Sequence, residues 1–146
     1  MSTVAIGFLI AFPVGTLVEY LIHRFVLHAR NRTFITRQHR LHHKDNLADP
    51  LWADFRDFLP GMAPVGWLGF LHSPAAGFGF LIGCIAYVLV LALVHKLSHE
   101  RPKLVFWMRP NSHWLHHGPS PRQNFGIVTR FWDRMFGTYA NPQERA

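Results

Sequence analysis

Two long stretches of the chain lack charge. Met1 to Val18 carries no charged side chain, and Glu19 is the first acid. Phe58 to His95 is a second charge-free stretch, 38 residues long. A helix needs about 20 apolar residues to cross roughly 30 Å of hydrocarbon. The first stretch predicts one span over residues 3–22. The second accommodates two short spans, 60–72 and 75–94, that turn near His72-Ser73-Pro74. Ala75 to Val94 is an unbroken apolar run, whereas Pro60 to Leu71 is short and interrupted by Pro64. The pattern predicts an all-α, integral membrane helical protein with two or three transmembrane helices, in a single domain over residues 1–146. A cleaved signal peptide does not fit, because no basic residues precede the first run and no small-residue cleavage site precedes the charged part.

Charge orients this arrangement. Fifteen Lys and Arg stand against eight Asp and Glu, a formal charge of +7. With three spans, all fifteen cations fall on one side; Arg24, Arg30, Arg32, Arg37, Arg40 and Lys44 directly follow the first span. An excess of Lys and Arg marks the cytoplasmic side, and such a surface also suits anionic lipid head groups. No nucleic-acid-binding motif accompanies the charge, so no nucleic-acid partner is expected. The single cysteine, Cys84, lies in an apolar run and excludes a disulfide scaffold.

Histidine changes the picture most. There are 11, and ten fall in four groups. His23 and His28 form HxxxxH; His39, His42 and His43 form HxxHH; His95 and His99 form HxxxH; His113, His116 and His117 repeat HxxHH. Helix residues three and four apart share a face, so each HxxHH group is expected to aim three imidazoles one way. The five-residue gap between His23 and His28 requires a distorted or ending helix. All ten lie on the basic side of the three-span arrangement, as a histidine-rich helical cap, while His72 sits at the opposite turn. Structural zinc takes four ligands and catalytic zinc three, so ten neutral imidazoles fit two ions with five nitrogens each. Imidazole alone does not choose among Fe, Zn, Cu and Ni. No Glu-x-x-His occurs, which excludes the carboxylate-rich di-iron bundle.

The motifs resemble the membrane-bound fatty acid hydroxylase / sterol desaturase superfamily of histidine-rich di-iron oxygenases. Glu19-Tyr-Leu-Ile-His23-Arg-Phe-Val-Leu-His28 is similar to that family's first box and Gln38-His-Arg-Leu-His-His-Lys44 to its second. His95-Lys-Leu-Ser-His99 matches the pair ending the last span, and Ser112-His-Trp-Leu-His-His-Gly118 the final box. The tail from Asn124 to Thr138 resembles the family's closing stretch. The resemblance implies two iron ions, with zinc able to substitute in purified protein, activating O2 against a lipid C–H bond by hydroxylation or desaturation. The implied ligands are His23, His28, His39, His42, His43, His95, His99, His113, His116 and His117, with no catalytic group beyond them. It further implies a lipid substrate entering from the bilayer and electrons from a separate ferredoxin or cytochrome b5-like donor. Phe125, Val128, Trp132 and Phe136, at helix-like spacing, are expected to pack under the site, and Met62, Trp67 and Phe70 to line a lipid path. Larger members have about four spans. The Ser-His-Glu-Arg-Pro run ending at Pro102 is also similar to carotenoid ring hydroxylases, a second reading. A third is a metal-binding or metal-transporting membrane protein without oxygenase activity.

Overall fold

A computed structural model describes residues 1–109, 112–118 and 121–141. Residues 142–146 of the expected domain, and with them Arg145, lie outside the described residues. Helix α1 spans Thr3–Leu21 and passes without a break into a π-helical segment, Ile22–Leu27. Helices α2 (Phe34–Asp45) and α3 (Leu51–Gly66) follow, α3 continuing as a 3-10 turn over Trp67–Leu71. The long helix α4 covers Pro74–Glu100. Short 3-10 turns lead to α5 (Ser112–His117) and α6 (Phe131–Met135). No strand occurs among the described residues.

Local sequence explains the boundaries. Ser2, Thr33 and Ser73 cap α1, α2 and α4 by accepting backbone N–H bonds from Ala5, Thr36 and Ala76. Pro74 occupies the first turn of α4, where its missing N–H costs nothing. Asn46 closes α2 in the left-handed region at φ 51, a conformation that Asn tolerates.

Helices α1 and α4 run parallel and in close contact. A Cβ on Gly79 would collide with the Val4 backbone, and one on Gly7 with the Ala76 carbonyl; further along, Gly15 lies against Tyr87. Small residues at such crossings let backbones approach. The segment from α3 through its 3-10 turn runs antiparallel to α4, with Gly66 beside Leu81 and Gly69 beside Ala76 and Phe80. Both long helices therefore start at one end of the bundle and finish at the other, and residues 51–71 carry the chain back between them. Tyr87, Val88 and Leu91 of α4 form the core with Ile22, Phe58 and Met62.

Outward faces are apolar as well. Phe78, Ile82, Ile85, Leu89 and Leu93 form an exposed stripe along α4, and Val4, Ile6, Leu9 and Ile10 expose another on α1. Two helical segments, Thr3–Leu27 and Pro74–Glu100, are long and apolar enough to cross a membrane. They contain the expected spans 3–22 and 75–94 and run beyond both. Residues 60–72, expected as a short span, are the apolar end of α3 and its 3-10 turn, and α3 starts with Asp54, Arg56 and Asp57. The tail also departs from expectation. Only Phe131–Met135 is helical there, because the N–H groups of Phe125, Gly126 and Ile127 bond to the Asp133 and Glu19 carboxylates and not to helix carbonyls. Phe125 is buried, but Phe136 is half exposed and stacks on Tyr20.

Candidate metal centre

The histidines converge at the end where α1 and α4 finish. The π segment solves the five-residue spacing of the first box. The His28 N–H bonds to the His23 carbonyl at 3.2 Å, which widens the turn by one residue and brings both rings to one side. Their centroids are 5.2 Å apart.

Ten rings form two clusters of five. His23, His28, His39, His43 and His116 form the first; His42, His95, His99, His113 and His117 form the second. Within each cluster the candidate ligand nitrogens all lie within 4.8 Å of one another. The expectation that each HxxHH group aims as a unit does not hold. His39 and His43 enter the first cluster while His42 enters the second; His113 and His117 enter the second while His116 enters the first. Adjacent helix positions differ by about 100°, so the two neighbouring histidines straddle the axis to the first ring and face different clusters. The clusters abut: the His43 and His117 rings stack at 4.1 Å, 3° from parallel. His72 remains exposed at the opposite end, beside an apolar groove of about 560 Å³.

Outer groups fix the rings. In the first cluster, His23 Nδ1 donates to the Phe125 carbonyl at 2.5 Å and His116 Nδ1 to the Gln123 carbonyl at 2.8 Å. Those carbonyls sit on a strap pinned by Asp133, whose carboxylate accepts from the Phe125 and Gly126 N–H groups, both at 2.8 Å, and from Thr138 Oγ1 at 2.7 Å. Glu19, buried in α1, accepts from Tyr87 and from the Ile127 N–H. In the second cluster, His95 Nδ1 donates to Asp54 Oδ1 at 2.6 Å. His42 Nδ1 lies 3.1 Å from Asp49 Oδ2, outside hydrogen-bond geometry. Sequence reasoning missed Asp49, Asp54, Asp133 and the role of Glu19. A signal existed: carboxylates are few, and Glu19 sits alone at the end of an apolar run.

This donor set fits metal ions. A carbonyl only accepts, so His23 and His116 carry their single neutral proton on Nδ1 and point bare Nε2 lone pairs inward; His95 Nδ1 likewise faces an acceptor, Asp54 Oδ1. His39 Nε2 lies 3.2, 2.9 and 3.1 Å from the Nε2 atoms of His23, His28 and His43. His42 Nε2 is 3.1 Å from His95 Nε2, and His113 Nε2 is 3.0 Å from His99 Nε2. One proton cannot satisfy several converging lone pairs; a central cation can. Each cluster offers five nitrogens within 4.8 Å of one another, one more than the four ligands tetrahedral zinc takes. Both ring nitrogens of His117 are buried without a hydrogen-bond partner.

Electrostatics agree. Burial, reinforced by neighbouring imidazoles, lowers His28 and His43 to about 4 and His42 to about 2. It pushes His39, His113, His116 and His117 further below their ordinary value. These rings are neutral at pH 7, the form that binds metal. Of the residues expected on a lipid path, Met62 is fully buried in the core and Trp67 is exposed to the outside. Phe125 instead contacts the site, its ring 5.2 to 5.8 Å from those of His23, His28 and His116.

Comparison with known proteins extends over most of the chain. The profile of a family described as fatty acid hydroxylase matches residues 8–138. A dihydroceramide fatty acyl 2-hydroxylase of Arabidopsis thaliana is 30% identical over 91% of this chain and 61% of its own. A fatty acid 2-hydroxylase of Rattus norvegicus is 30% identical over 94% of this chain and 40% of its own. A ceramide very long chain fatty acid hydroxylase of Saccharomyces cerevisiae is 31% identical over 92% and 38%. The chain thus spans about two to three fifths of the length of these curated relatives. No solved structure matches.

Proposed function

The chain belongs to the fatty acid hydroxylase family, and from that premise we propose that it is a membrane-bound di-iron oxygenase that hydroxylates an acyl-lipid C–H bond. The observation that carries the reading is the sorting of ten imidazoles into two five-nitrogen clusters. The ligands are His23, His28, His39, His43 and His116 for one iron, and His42, His95, His99, His113 and His117 for the other. Five nitrogens in each cluster, one more than tetrahedral zinc takes, support a higher-coordinate ion such as iron.

When bound, the irons supply reduction of O2 to an oxidant strong enough for an unactivated C–H bond. The reaction balances as one C–H bond, O2, two electrons and two protons giving one C–OH and one water. The electrons come from a ferredoxin or cytochrome b5-like donor. The chain's own residues do the rest. Phe125 and Gln123 carbonyls and Asp54 hold the ring tautomers so that lone pairs face inward. Buried Phe58 and Leu27 and the Phe125 ring exclude water from the inner side. The relatives' names place two of their reactions on carbon 2 of a fatty acyl chain, and the same carbon is the proposed target here.

The membrane arrangement follows the parallel helices. If Thr3–Leu27 and Pro74–Glu100 both cross, residues 51–71 must return the chain across the bilayer. Asp54 stays at the histidine end with His95, and from Phe58 to Leu71 nine α-helical and five 3-10 residues extend about 24 Å, a short traverse of a locally thinned bilayer. The basic end, holding both clusters, then faces the cytoplasm. A transport reading is weaker, because both clusters lie at one end and transport needs polar groups along the path.

Purified full chain should contain about two irons, and lipid extracts from cells with and without it should differ by a 2-hydroxy acyl product in mass spectrometry. His42→Ala and His116→Ala should each lose the iron of their own cluster and all product. Full turnover by either variant would overturn the proposal.

A further inference from the structure

Four arginines line clefts beside the first cluster. Two clefts, of about 350 and 440 Å³, share His28, Arg30 and Pro121. Arg40, His39 and His43 line the first; Arg24, Arg122 and Phe125 line the second. No described carboxylate lies within ion-pair distance of Arg24, Arg30, Arg40 or Arg122, whereas Arg56 and Lys96 elsewhere are paired with Asp57 and Glu100.

The guanidinium of Arg24 is oriented by what it touches. It packs over the Phe25, Tyr20 and Phe125 rings at 4.9, 5.8 and 6.0 Å. It gives one N–H to the Tyr20 hydroxyl at 2.7 Å, and Arg40 gives one to the Asn31 carbonyl at 3.2 Å. A guanidinium has five donors in a planar fork, so most remain for a ligand. Forks of this kind suit the planar pair of oxygens on a carboxylate, or those of a phosphate.

The surroundings select the kind of anion. Leu21, Phe25 and Val26, at the end of the first apolar segment, are exposed large apolar residues adjoining Arg24. A ligand here meets cations on one side and apolar surface on the other. We propose that the arginine-rimmed cleft beside the first cluster seats the anionic head group of an acyl lipid, with a carbon near that head facing the histidines. The site deepens the oxygenase reading and rests on it. Phe125 links the two parts, touching Arg24 on one side and His28 on the other at 5.4 Å, so the head is held close to the ring cluster and not a chain length away.

The test is binding, scored without an electron donor. Purified full chain in detergent is titrated with hexadecanoic acid, its methyl ester and inorganic phosphate against a fluorescent fatty acid. The acid should bind about tenfold or more tighter than the ester, since a charge-assisted pair is worth at least that factor. Arg30→Gln with Arg122→Gln should erase the preference while metal content stays at the parent level. Should that pair lose metal or fail to fold, Arg30→Lys with Arg122→Lys serves, and should keep part of the preference. Equal binding of acid and ester by the parent overturns the proposal. So does an unchanged preference in either double variant, or displacement by phosphate as effective as by the fatty acid, which would make this a soluble-anion site. Metal analysis on the same samples separates the two failures: a chain with irons but no head-group preference loses only this inference.

Discussion

The two histidine clusters have the same donors and opposite surroundings. Each takes two rings from its own span-end pair, two from one HxxHH group and one from the other. The first is backed by neutral peptide carbonyls of Phe125 and Gln123 and opens toward Arg24, Arg30, Arg40 and Arg122. The second is backed by carboxylates, Asp54 in hydrogen-bond contact and Asp49 nearby. A carboxylate behind an imidazole raises its basicity and attracts a cation; guanidinium groups beside a cluster do the reverse. Equal ligand counts therefore do not make equal sites. The second cluster should bind its ion more tightly, and the first should exchange it more readily and meet the substrate.

The largest effects should come from removing a ligand at each centre. His39→Ala and His113→Ala should each lower metal content from about two ions per chain to about one and abolish product, read by elemental analysis and lipid mass spectrometry. Loss of both ions from either variant would break the comparison, making the ten rings one cooperative centre.

Acid comes next, and its sign follows from the lowered values. His28 and His43 are held near 4 against an ordinary value of about 6.5. As pH falls through that window, the unfolded chain takes protons that the folded rings refuse. Stability then declines by about 1.4 kcal/mol per pH unit for each such ring. It is fully present above 6.5 and stops falling near 4, where these rings protonate in the folded state. Protons also compete with the ion. Both ions should therefore be released as the pH falls from 7 to 4. Full retention of both ions at pH 4 would contradict this.

The outer shells can be exchanged one at a time. Asp54→Asn should weaken one ion about 10- to 100-fold, seen as earlier release to a chelator, and spare the other. Asp133→Asn should act on the opposite cluster by loosening the strap that carries Phe125 and Gln123. Asp133 is fully buried with two N–H donors and a hydroxyl on its carboxylate. The loss should be about 2 to 3 kcal/mol in thermal unfolding, with the first ion released earlier.

This outer shell marks the limit of what the chain discloses by itself. The ten histidines were legible because their spacing is improbable by chance and metal chemistry demands that residue type. The two long helices were legible from charge-free length. The HxxxxH gap announced a distorted helix, which is the π turn at Ile22–Leu27. The division of each HxxHH between two clusters was not legible, since helical spacing says which residues share a side but not that two targets flank it. Asp54 and Asp133 were hidden for another reason: their partners lie 41 residues away at His95 and on a non-helical strap that no periodicity betrays. The apolar run at residues 60–72 disclosed only the end of its element, because α3 begins at Leu51 among the charged residues Asp54, Arg56 and Asp57.

Asp49→Asn should have the smallest effect and decides what makes the second cluster tight. The Asp49 carboxylate is 3.1 Å from His42 Nδ1 but makes no hydrogen bond to it, and its side chain is 40% exposed. Water and salt screen such a charge, so its removal should weaken the ion about twofold or less at moderate salt. Asp54 differs by being buried and in direct contact with a ligand ring, which fixes tautomer as well as charge. If contact is what matters, the Asp49 effect should fade on adding salt while the Asp54 effect persists. If both variants lose affinity equally and salt reduces both, the asymmetry between the clusters is a matter of net field alone, and the carbonyl-backed cluster would become as tight simply by neutralising the arginines at its mouth.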